Sequence, residues 1–143
     1  DDPRLTFTVI ASGHWGRKWR EIPNTVVFSE IPYGRYEDFI NTLPGGGIFL
    51  VPLLSSRLND SRSDAKLLEV ARSGSAAIIS DHGAYAPYRR SKEGGADFFV
   101  PATQEAWLKA IQTMARAPDL AIEHQRDLQL YVQSRFENRM MIA

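Results

Sequence analysis

Lys66 and Glu69 are the two side chains whose types and spacing most directly suggest chemistry. They lie in the stretch Asn59 to Glu69, between the apolar runs Gly47–Leu54 and Ala76–Asp81. Leu67, Leu68, Val70 and Ala71 recur at helical spacing, and Gly74 stands where a helix should stop. Ser63 is placed to cap that helix, with Asp64 in its first turn at the positive end of the dipole. Three residues after a Ser cap, Glu or Gln would complete a capping box, yet the cation Lys66 sits there. A lysine beside the N–H groups of a helix start favours an anion, most naturally phosphate. Glu69, one turn deeper on roughly the same face, could accept hydrogen bonds from ligand hydroxyls. Together they would suit a nucleotide or nucleotide-sugar. The competing reading is a solvent-exposed i, i+3 ion pair with no ligand at all.

Other candidates lie where apolar runs end. Asp81-His82-Gly83-Ala84-Tyr85 follows the second run, and Ser12-Gly13-His14-Trp15-Gly16 follows Leu5–Ala11. The latter has two glycines, fewer than a dinucleotide fingerprint requires. The cluster Arg17-Lys18-Trp19-Arg20 could touch phosphate, but reads first as a short solvated connection. His14, His82 and His124 are the only imidazoles. His14 and His82 follow strands and could reach a ligand, whereas His124 falls within a helix and reads as surface or packing. No group of His, Asp or Glu has metal-ligand spacing, and no catalytic residue is assigned.

Composition narrows the classes. The 143 residues carry 17 Lys plus Arg against 17 Asp plus Glu, which disfavours a nucleic-acid or anionic-membrane binder. The count of cysteine is 0, which removes disulfides, thiolate metal sites and a cysteine nucleophile, and fits a cytoplasmic protein. No apolar run approaches membrane-spanning length, and Asp1-Asp2-Pro3-Arg4 has no signal-peptide pattern. Length predicts one domain over 1–143 with a true core. The abrupt start, almost on a strand, would fit a domain cut from a longer protein.

Five strands are predicted to position these residues: Leu5–Ala11 (buried), Thr25–Ser29, Ile48–Val51, Ala76–Ser80 and Asp97–Val100. Helices are predicted over Tyr36–Leu43 (stopped by Pro44–Gly47), after Ser63, over Gln104–Ala115 behind a Thr103 cap, and from Leu120 to about Asn138. The third helix would turn Trp107, Leu108, Ile111 and Met114 inward. The last has a patchier apolar set of Leu128, Leu130, Tyr131 and Phe136. Tyr85 to Glu93-Gly94-Gly95 is left helical or irregular. Strands alternating with helices predict an α/β fold: a Rossmann-like parallel sheet of about five or six strands with helices on both faces. Ligands of such sheets bind beyond the carboxyl ends of the strands, where the candidates gather.

With these motifs in place, the chain resembles the carboxyl-terminal half of GT-B glycosyltransferases, closest to the group 1 (GT4-like) families. Ser61–Glu69 resembles their S-D-x-K-x-x-E pattern, Ala71–Gly74 their A-x-x-G, and Ser80–Tyr85 their S-D-x-G-x-Y. Glu93–Pro101 resembles the D/E-G-x-x-G-x-L-V-P turn and strand, while Glu105–Trp107 and Ala117–Leu120 match the helix and the break that follow. About residues 45 to 135 are covered, in order.

The resemblance implies a domain binding the nucleoside diphosphate of an activated sugar and handing the sugar to a glycan, lipid or protein. Glu69 would hold the donor ribose, and Lys66 and Ser63 would lie on the phosphate side. Asp81, His82, Gly83 and Tyr85 would border the donor pocket, with Ser12 and Gly13 as further donor-side candidates. It implies no metal and no cofactor beyond the donor, and an acceptor-binding N-terminal domain missing from this chain, through which the enzyme could sit peripherally at the inner membrane. Two departures stand out: Ser61 occupies the place of the first Glu in an E-x7-E motif, and Arg17 or Lys18 would have to replace an upstream diphosphate grip. The alternative expectation is a non-catalytic GT-B-like binding or assembly module with a degenerate pocket.

Overall fold

The structure is a computed structural model describing residues 5–43, 46–90 and 99–140, except for the side chains of Tyr33 and 136–140. It is α/β with parallel sheets, and its contacts divide it into two compact units, 1–42 and 43–143.

In the first unit, β1 (Phe7–Ile10) pairs in parallel with β2 (Thr25–Phe28) through the crossover helix α1 (Gly13–Arg20). A 3-10 turn, Tyr33–Arg35, leads into α2 (Tyr36–Thr42). Gly16 lets α1 lie directly on the strand end, because a Cβ there would stand 2.6 Å from the Ala11 carbonyl oxygen. The Arg17–Arg20 cluster is the end of a helix, solvated as expected but not irregular; the local turn chemistry of Ser12–Gly16 hid the helical start. Phe7 and Ile10 are exposed rather than buried. Two paired strands give each other few neighbours, so β-propensity there does not bring burial.

The second unit holds β3 (Ile48–Val51), α3 (Arg57–Asp60), α4 (Ala65–Arg72), β4 (Ala76–Ser80), a 3-10 turn (Gly83–Tyr85), α5 (Ala86–Arg89), β5 (Phe99–Val100), α6 (Gln104–Arg116) and α7 (Pro118–Met140). Its sheet has the order β3-β4-β5, all parallel, with Leu50 opposite Ile78 and Ile79 opposite Phe99. Every residue of β4 is buried, as expected of a central strand covered on both faces. Ala77 and Ile79 point to a cluster with Leu67, Val70, Tyr88, Leu128 and Tyr131 from α4, α5 and α7. Ala76 and Ile78 point the other way, to Met114 of α6 and Ala121 of α7. Helices thus cover both faces of this sheet.

Among the described residues the ladders form a two-stranded sheet in the first unit and a three-stranded sheet in the second, not one sheet of five or six strands. Among the described residues β1 bonds β2, and β3 bonds β4, without a ladder between the pairs. Periodicity reports that a segment is extended; it does not report its neighbour. Thr103 caps α6 by accepting from the Ala106 N–H at 3.3 Å. Leu108, expected inward, is exposed, as is Leu130 on α7. The Pro44-Gly45 stop, Glu93-Gly94-Gly95 and the start of the fifth strand at Asp97-Phe98 lie outside the described residues, as does the Phe136 side chain.

Candidate functional site

The chain leaving β3 and the first turn of α4 form a groove of about 440 Å3 in the second unit. Leu50, Val51, Pro52 and Leu53 form its apolar side, opposite Arg62, Ser63, Ala65, Lys66 and Glu69, with Tyr85 joining from the turn after β4. Three local features hold this shape. The buried Ser80 hydroxyl accepts from the Leu53 N–H at 2.6 Å, fixing the strand exit against the end of β4. Ser56 caps α3 by accepting from Asn59 N–H at 3.2 Å, and the Asn59 amide returns to the Leu54 carbonyl at 2.7 Å. Gly74, with φ +63°, ends α4 in the left-handed region and releases the chain into β4.

Lys66 Nζ and Glu69 Oε2 are 2.5 Å apart in an i, i+3 pair, both partly exposed on the groove wall. The ion pair of the competing reading is therefore formed, and it faces the groove. Ser63 is not the N-cap: Asp64 occupies that position, and the Ser63 hydroxyl accepts from the Ala65 N–H at 3.4 Å. The helix starts one residue later than the capping pattern indicates because the Asp64 carbonyl takes the first intrahelical bond, from Leu67 N–H at 2.9 Å.

Asp64 makes no capping bond with its side chain. Its buried carboxylate turns to α7, where Tyr131 donates at 2.9 Å and Arg135 Nη1 lies at 2.5 Å. Arg135 also donates to the Tyr131 hydroxyl at 2.8 Å. Burial raises the Tyr131 pKa above the usual phenol value, the Asp64 hydrogen bond and charge add to it, and Arg135 opposes it. Tyr85 is likewise raised, chiefly by burial; Lys66 and Arg62 pull it down, and Asp64 and Glu69 push it up. The phenol on the groove wall thus feels four charges of the α4 entrance.

Of the expected site residues, Ser63, Lys66, Glu69 and Tyr85 come together in the groove. Asp81 is exposed and paired with Arg89. His82 is turned inward: Nδ1 accepts from Ala84 N–H at 3.4 Å to cap the 3-10 turn, and Nε2 lies 3.0 Å from Asp60. Gly83 opens that turn and is exposed. These three follow β4 as expected but do not line the groove. Ser12 and Gly13 belong to the first unit, at the start of α1, where Ser12 makes no side-chain capping bond. Lys18 there lies 5.2 Å from the centre of the Trp15 ring. Arg62 and the 50–53 segment were not among the candidates; a second cation four residues before Lys66, just ahead of the helix start, was the available signal for Arg62. His124 is fully buried, beside the Tyr88 ring.

Among the described residues no group of three or more His, Asp or Glu is placed to hold a metal ion, and no helix is long and apolar enough to cross a membrane. Comparison of the chain with protein-family models, curated proteins and solved structures gave no match.

Proposed function

We propose that the 43–143 unit binds the nucleoside diphosphate of a sugar donor, as the donor domain of a GT-B glycosyltransferase. The groove carries this reading: an apolar side, two cations, a carboxylate and a phenol sit at the carboxyl end of β3, where ligands of parallel sheets bind. Leu50, Pro52 and Leu53 would pack a planar base, Glu69 would accept from ribose hydroxyls, and Lys66 with Arg62 would face the diphosphate. As the sugar leaves, negative charge grows on the diphosphate, and the same cations and the start of α4 would stabilise it. The acceptor, a glycan or a lipid-linked chain, would be held by a separate N-terminal domain. The motif resemblance over about residues 45 to 135 supports the same reading.

A second reading, a non-catalytic module of the same fold, is favoured by Ser61. In place of a carboxylate for the sugar it carries a hydroxyl, which donates to the Leu58 carbonyl at 2.8 Å. Calorimetric titration with UDP, GDP and ADP, free and sugar-linked, tests the donor reading. Saturable binding to one of them, enhanced by the sugar, is expected; no binding to any refutes it.

A further inference from the structure

The first turn of α4 is a wall between two cavities. Ser63 and Ala65 line both the groove and a smaller cavity of about 110 Å3 on its other side, which Asp64, Tyr131 and Arg135 also line. Asp64 sits between them in the chain, at the N-cap of α4, with a carboxylate that caps nothing. An aspartate there would ordinarily fold back onto the first-turn N–H groups and supply the negative charge that a helix start favours. In that position it would compete with, and repel, any anion brought to the same turn. Instead it is drawn to α7, where a guanidinium offsets its charge and a phenol donates to it, the two also bonding to each other.

We propose that Arg135 and Tyr131 are positioning residues that hold the Asp64 carboxylate away from the groove and offset part of its charge, so that α7 sets the affinity of the α4 entrance for a diphosphate. This rests on the donor-groove reading. Stripped of Arg135, Asp64 keeps its charge within one residue of two groove-lining positions. At such range, through a partly solvated protein edge, an uncompensated charge lowers the affinity of a dianion about fivefold. A neutral nucleoside is unaffected by it. A merely structural role for α7 would weaken both ligands alike.

The test is titration of the whole chain and its variants with a nucleoside diphosphate and with the matching nucleoside, at low salt. Arg135→Gln should lose about fivefold in diphosphate affinity with nucleoside affinity within twofold, and adding Asp64→Asn should restore the diphosphate. Asp64→Asn alone, leaving Arg135 as an unbalanced cation, should tighten the diphosphate about threefold. That single variant keeps the proposal falsifiable if Arg135→Gln fails to fold, because a structural role predicts weakening instead. Equal losses for both ligands, no recovery in the double variant, or weaker diphosphate binding by Asp64→Asn overturns the proposal while leaving the donor reading intact. A wild-type chain that binds no nucleoside diphosphate overturns both.

Discussion

Replacing His124 with Leu should remove a pH dependence from the stability of the protein. The imidazole is about 1% exposed and its pKa falls from the ordinary 6.5 to about 4. Burial is the main cause; the Ala77 backbone and the Asp127 charge oppose it. The unfolded chain takes up a proton on this ring near 6.5 and the folded chain only near 4, so the unfolded state binds more protons in between. Stability from a neutral buried ring is therefore full above about pH 7 and is lost as pH falls toward 4. The complete loss is about 3 kcal/mol, and roughly 2 kcal/mol of it falls between pH 7 and 5. Urea unfolding at pH 7 and pH 5, followed by far-ultraviolet circular dichroism, measures it. His124→Leu loses a polar contact and gains apolar packing, a change that is the same at both pH values. Carboxylates elsewhere titrate equally in both proteins, so the difference between the two pH slopes isolates His124. The wild type should lose about 2 kcal/mol more than the variant on acidification. Equal slopes would refute a buried neutral histidine.

Four further outcomes are expected. Glu69→Ala should abolish nucleotide binding without unfolding the chain, and Lys66→Ala should cost more affinity for a diphosphate than for the nucleoside; calorimetry beside circular dichroism separates binding from folding. Leu128→Ala should destabilise the 43–143 unit by about 2–5 kcal/mol, since Leu128 is fully buried among residues of α4, α5 and β4; a loss below about 1 kcal/mol in urea unfolding would contradict that packing. Gly16→Ala should cost about 1–3 kcal/mol in the 1–42 unit, because its Cβ meets backbone rather than a movable side chain; unchanged protease resistance of that unit would contradict the close approach.

What could be read from the residues was what local physics dictates. Ile48–Val51 and Ala76–Ser80 are strands with the expected bounds, since a run apolar on both faces has few other places to go. Thr103 and Gly74 act as the cap and the stop their types indicate. α1 went unread because two glycines look like a turn when one of them serves helix–strand contact. Sheet partnership was equally invisible, being a property of edges rather than of sequence period. At the site, the spacing of Lys66 and Glu69 placed them on one wall, but the preference of Asp64 for Tyr131 and Arg135 is a contact across 67 and 71 positions of chain. His82 pointed inward for a similar reason: Asp60 and the Ala84 amide claim its two nitrogens.

Residue-resolved nitrogen–proton correlation spectra of the chain during titration with a nucleoside diphosphate test the donor groove most directly. The groove reading predicts that saturable shifts concentrate at Leu53, Arg62, Ser63, Ala65, Lys66, Glu69 and Tyr85. Shifts confined to residues away from these, or none at millimolar ligand, would contradict it.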